Sequence, residues 1–137
     1  MISILIVTHG QLAKTLLETS QLFVSNPSDV DYVCFSPDQG VEDLKEIVLQ
    51  KISMLNDATN ILCLVDIPSG SPARVIGELV LTNPKVELIT GVNLPILIEA
   101  MLARELYPIE ELVHHLIHSS RESIVDIGSI LRNESFN

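Results

Sequence analysis

Apolar and polar positions in this chain alternate between two periods. Ile2 to Val7 is a nearly unbroken apolar, β-branched run. It is too short for a helix and too apolar for a half-exposed strand, so it predicts a strand buried on both faces. Val30 to Phe35, Asn60 to Val65 and Val86 to Thr90 predict three more strands, with the run at 60–65 as apolar as the first. Between the strands the spacing changes to three and four. Leu12 to Val24 predicts a helix with Leu12, Leu16, Leu17 and Phe23 on one face and Gln11, Lys14, Glu18 and Gln21 opposite. Val41 to Leu55 predicts a second helix, with Leu44, Ile47, Val48 and Ile52 inward. A third starts at Ser71-Pro72, a capping hydroxyl followed by proline at the first helical position, and runs to about Leu81. The loop Gly91-Val92-Asn93-Leu94-Pro95 leads into a fourth helix through Arg104. Ile109 to about Leu131 places Leu112, Leu116, Ile124, Ile127 and Leu131 at helical spacing, with a break near Gly128. Turn-rich stretches at 25–29, 36–40 and 56–59 punctuate these elements.

Strands alternating with helices predict an α/β fold, a single domain with a mostly parallel sheet flanked by helices on both faces. The expected domain covers residues 1–131, with 132–137 as a C-terminal tail. In such a sheet every strand-to-helix loop lies along one edge, where ligands bind. His9, Asp38, Asp66, Ser71 and Asn93 are expected on that rim.

Composition narrows the class. The 137 residues are 47% hydrophobic and 19% charged, which describes a packed globule. The formal charge of -10 disfavours nucleic acid and anionic membranes as partners and is compatible with a basic protein partner. No apolar run is long enough to span a membrane, and the first run has no basic residues before it and no cleavage site after it, so a cytoplasmic protein is expected. Cys34 and Cys63 sit inside strand-like runs and read as buried reduced thiols, with neither metal spacing nor a disulfide framework. Met54 and Met101 read as core or near-core fillers.

The candidate chemistry is at the ends of the two most apolar strands. His9 ends one and Asp66 the other. If the strands are neighbours, the carboxylate reaches the imidazole, takes a hydrogen bond from Nδ1 and leaves Nε2 as the nucleophile. Ser69, Gly70 and Ser71 precede the third helix, whose free backbone N–H groups suit an anion. Nucleophile, orienting acid and anion site together suggest phosphoryl transfer through a phosphohistidine. Taken singly, His9 is equally a loop histidine with one structural hydrogen bond, Asp66 a strand-end cap and Ser71 a plain helix cap. No phosphate-binding G-x-x-x-x-G-K-[ST] loop, dinucleotide fingerprint or G-x-S-x-G elbow is present. Receiver domains phosphorylate an aspartate, but they carry acidic residues where this chain has Thr8-His9. His114 and His118 share a helical face with no third ligand, so no metal and no cofactor are expected.

Four stretches in order carry a more specific likeness: Ile6-Val7-Thr8-His9-Gly10, Leu64-Val65-Asp66, Gly70-Ser71-Pro72 and Gly91-Val92-Asn93-Leu94-Pro95, with Glu99, Met101, Ala103 and Arg104 following. From Ile2 to around Ile127 the chain resembles the IIA domain of the mannose family of the bacterial phosphoenolpyruvate-dependent sugar phosphotransferase system. The resemblance implies a homodimer. It implies that His9 accepts a phosphoryl group from the phosphocarrier protein HPr and passes it to a IIB domain or subunit during sugar uptake, touching the membrane only indirectly through the sugar permease. Asp66 matches the aspartate that orients the histidine, and Ser71 a serine near the phosphoryl group. Family members often carry a threonine and an aromatic residue before Gly-Gly-Ser-Pro. Here the stretch reads Ile67-Pro68-Ser69-Gly70-Ser71-Pro72, so no role passes to Ile67 or Pro68. Similar domains also occur in dihydroxyacetone-kinase-linked phosphoryl carriers and in transcription activators, where phosphorylation signals. A regulatory phosphoacceptor is therefore the alternative, and a kinase or activator gene next door would mark it, as IIB, IIC and IID neighbours would mark transport.

Overall fold

The computed structural model describes residues 1–55 and 57–135. The expected turn at Asn56 and the end of the expected tail, residues 136–137, lie outside the described residues. Four strands, β1 (Ile2–His9), β2 (Val30–Phe35), β3 (Asn60–Val65) and β4 (Val86–Thr90), form one sheet in the order β2-β1-β3-β4. All three pairings are parallel, so the sheet is parallel throughout the described residues. The helices are α1 (Leu12–Ser20), α2 (Val41–Ser53), α3 (Ser71–Thr82), α4 (Leu94–Ala103), α5 (Ile109–Glu122) and α6 (Ile127–Ser135).

Side chains of β1 alternate between two cores, because successive residues of a strand face opposite sides of the sheet. Ile2, Ile4 and Ile6 join Leu16 and Leu17 of α1, Leu97 of α4 and Leu112 and Leu116 of α5. Leu5 and Val7 join Leu44 and Val48 of α2 and Val75 and Ile76 of α3. Helices therefore cover both faces, as the alternation predicts. The alternation also sends Thr8 towards α1 and His9 towards α2 and α3. β1 runs two residues past the apolar run, since pairing with β2 continues through Thr8 with Cys34 and His9 with Phe35. At the other end of β1, the buried guanidinium of Arg104 donates to the carbonyls of Ile2, Ser28 and Asp29 and pins the strand start to the loop before β2.

Several side chains depart from their expected places. Leu12 and Phe23 are exposed, and the buried face of α1 is Ala13, Leu16, Leu17 and Ser20; Leu12 is the first helical residue and Phe23 lies past the helix end at Ser20. Met101 is buried, but Met54 is 75% exposed, since α2 has ended before it. Cys63 is buried and Cys34 only half-buried, on the strand nearer the sheet edge. The long C-terminal helix is two helices, broken at 123–126 rather than near Gly128. Ile124, Ile127 and Leu131, at helical spacing with Leu112 and Leu116 in the sequence, are exposed. α6 itself continues across position 131 to Ser135.

Candidate functional site

β1 and β3 are neighbours, and this brings His9 and Asp66 together. The Nδ1 of His9 lies 2.9 Å from Oδ2 of Asp66. The same oxygen accepts the backbone N–H of His9 at 3.0 Å, and Oδ1 accepts the N–H of Ile67 at 3.0 Å. Burial alone would raise the Asp66 carboxyl. The hydrogen bonds from the His9 ring, the His9 backbone and Ile67, with the ring's charge when protonated, outweigh it and hold the group below its ordinary value. An ionised carboxylate only accepts, so the proton in this bond sits on Nδ1 and the neutral ring keeps its lone pair on Nε2. The His9 side chain is 42% exposed while that of Asp66 is 14% exposed, so the imidazole is open and the carboxylate beside it is hidden.

Nε2 faces the start of α3. Gly70 caps this helix at φ 91°, ψ −179°, a conformation essentially reserved for glycine. A Cβ added there would stand 3.0 Å from Cε1 and 3.1 Å from Nε2 of His9, so a side chain here would crowd the ring and glycine leaves it room. Gly70, not Ser71, is thus the cap; Ser71 is the first helical residue and makes no capping bond. The expectation of a serine cap fails because the positive φ of Gly70 starts the helix one residue earlier. The consequence is chemical. The hydroxyls of Ser69 and Ser71 and the N–H groups of Ser71 and Ala73 have no acceptor among the described residues, while the N–H of Arg74 bonds to the carbonyl of Gly70. Uncommitted donors therefore gather at the positive end of a helix, beside the Nε2 of His9.

Residues 3–117 match the family described as "PTS system fructose IIA component" (EIIA-man). The chain belongs to the mannose family of phosphotransferase-system IIA domains. It is 33% identical over 124 residues to the "PTS system mannose-specific EIIAB component" of Escherichia coli K12, a match covering 90% of this chain and 38% of that protein. The IIA domain thus spans well under half the length of that curated relative. It is 29% identical to the fructose-specific EIIA component of Bacillus subtilis, over 90% of this chain and 84% of the relative. The crystal structure of the EIIA component from Streptococcus agalactiae superposes with a TM-score of 0.86 at 29% identity, covering 94% of this IIA domain and 99% of that chain.

Other rim residues of the IIA domain have different places. The side chain of Asn93 caps α4, accepting the N–H of Ile96 at 2.9 Å. Asp38 is exposed in its loop and makes no bond to His9. Thr8 accepts the N–H of Ala13 at 2.7 Å and so fixes the start of α1 after the His9 loop. Phe35 approaches the His9 ring, with centroids 6.0 Å apart and planes at 66°. Sequence reading missed both, for their roles depend on register; the end-of-strand position of Phe35 was the available signal. No cluster of three or more metal-binding side chains occurs among the described residues. On α5, His115 rather than His114 or His118 makes a partnered contact, to Glu99 at 2.7 Å and stacked on Tyr107. Burial pushes the Cys63 thiol up to about 12, which makes it unreactive. No described helix is long and apolar enough to cross a membrane.

Proposed function

We propose that this IIA domain is a phosphoryl carrier that accepts a phosphoryl group on Nε2 of His9 from phospho-HPr and passes it to a IIB partner during sugar uptake. The carrying observation is the short Nδ1 contact to a half-buried, ionised Asp66, which leaves Nε2 unbonded on a side chain 42% exposed. In the forward step the Nε2 lone pair attacks phosphorus. The Nε2–P bond forms as the donor's P–N bond breaks, and that electron pair returns to the donor imidazole, which takes up a proton. The positive charge on the His9 ring is balanced by Asp66. The uncommitted donors of Ser69, Ser71 and Ala73 suit the phosphoryl oxygens. An open rim suits a donor and an acceptor that are themselves proteins. The chemistry uses no cofactor and is placed in the cytoplasm.

Incubation with phosphoenolpyruvate, enzyme I and HPr should give an acid-labile, alkali-stable phosphoprotein, and His9→Ala should abolish the label. Full label in that variant would sink the reading, and a hydroxylamine-sensitive label would move it to Asp66.

The same reading makes the domain a homodimer. Ile124, Val125, Ile127 and Ile130 are exposed together at the C-terminal end, near a groove lined by Leu88, Ile96 and Ile117 beside the edge strand β4. Such apolar surface supports an interface between two copies. Sedimentation should give a dimer at micromolar concentration; a monomer there would contradict it.

A further inference from the structure

The hydrogen bond to Asp66 holds one corner of the imidazole and does not by itself fix the ring. Rotation about the side-chain torsions can carry Nε2 away from the start of α3 while other wells stay accessible. The sheet order restricts that motion. β1 lies between β2 and β3, so Asp66 and Gly70 reach the ring from the β3 side and Phe35 reaches it from the β2 side. His9 and Phe35 are register partners, and in a parallel pair their side chains leave the same face of the sheet. Phe35 is itself held, packed against the core that contains Val7, Val33 and Leu44, with its carbonyl accepting the N–H of Gly10 at 2.9 Å. The imidazole therefore stands between a glycine backbone and a phenyl ring, with Nε2 facing the start of α3.

We propose that Phe35 is a positioning residue for phosphoryl transfer, a wall on the β2 side that keeps the His9 ring in the orientation where Nε2 meets an incoming phosphoryl group. This inference rests on the function proposed for His9. Phe35 touches neither donor nor phosphorus; it narrows the orientations of the ring, and the rate at which an oriented nucleophile attacks depends on the share of time it spends aligned.

A small donor separates positioning from protein docking. Phosphoramidate phosphorylates imidazole directly: the N–P bond to His9 forms as the P–N bond of phosphoramidate breaks and ammonia leaves. Phe35→Leu should slow labelling of His9 roughly three- to tenfold, the range expected for losing one aromatic contact. The fall should be equal with phosphoramidate and with phospho-HPr. It should appear in the rate at saturating phospho-HPr, with the half-saturating concentration unchanged. Phe35→Tyr keeps the ring and should restore the rate. In the unmodified chain, nuclear Overhauser contacts should link the ring protons of His9 and Phe35. A wild-type rate in Phe35→Leu with a lowered melting temperature would overturn the inference and leave Phe35 a packing residue. So would a loss confined to phospho-HPr, a Phe35→Tyr variant as slow as Phe35→Leu, or absent ring contacts, the last of which holds even if the leucine variant does not fold. Normal labelling of the wild-type chain with Phe35→Leu unaffected defeats this inference alone; no label on His9 in the wild-type chain defeats the functional reading and this inference with it.

Discussion

Asp66 binds two donors of His9 through one oxygen and the next backbone N–H through the other, so its charge and its position are set together. An amide at this place keeps the shape but offers an N–H₂ group that selects the wrong tautomer. It also leaves the ring's positive charge unbalanced during transfer. Asp66→Asn should fold and transfer phosphoryl groups roughly tenfold to several hundredfold more slowly, about 1.4 to 3.5 kcal/mol of barrier. Rapid-quench transfer with a melt on the same samples checks this; a normal rate with a lowered melting temperature would mean that Asp66 is only a cap. The lowered carboxyl also makes a pH forecast. Stability from this group is fully present above its unfolded value, about 3.9, and is lost as pH falls through the lower folded value. The melting-temperature gap between wild type and Asp66→Asn should therefore close on acidification below about pH 4. Gly70 was legible as part of an expected anion site at the start of α3, but its closeness to His9 was not. Gly70→Ala should cost about 1–3 kcal/mol from backbone strain alone, measured by urea unfolding, and displace the imidazole as well.

At the scale of elements, the four strands fall on the predicted runs, and β1 extends past its apolar run to His9 because its pairing with β2 continues there. Helix ends were less legible. α1 stops at Ser20, short of Val24, and the start of α3 belongs to Gly70, since caps are decided by backbone angles rather than by residue type alone. Thr8 shows the same dependence. Its hydroxyl lies in the sheet yet serves the helix, accepting the N–H of Ala13 in a fully buried setting. Thr8→Val keeps the volume and removes the acceptor. It should destabilise the chain by about 1–3 kcal/mol, the cost of an unsatisfied buried donor. Urea unfolding measures that loss, and an unchanged midpoint would show that another group satisfies Ala13.

For the whole molecule, the acidic charge of -10 is compatible with a basic protein as the proposed phosphoryl donor to His9. Transfer from phospho-HPr should weaken as ionic strength rises from low to physiological values, whereas phosphoramidate labelling should hardly change, because screening acts on encounter between charged proteins. Equal salt dependence in both reactions would remove the electrostatic argument. The sequence by itself determined the alternation of strands and helices, the parallel α/β class, the order of the motifs and the placement of His9 and Asp66 at strand ends. These follow from periodicity and chain connectivity, which are local or nearly so. The tertiary structure decided that β1 sits between β2 and β3. Only that order puts Asp66 and Gly70 on one side of His9 and Phe35 on the other. It also decided which helical stripes are buried. The apolar positions of α5 near Leu112 and Leu116 reach the core, while Ile124 and Ile127 stay exposed. Periodicity records that a face is apolar, and what covers that face is settled only by how distant segments pack.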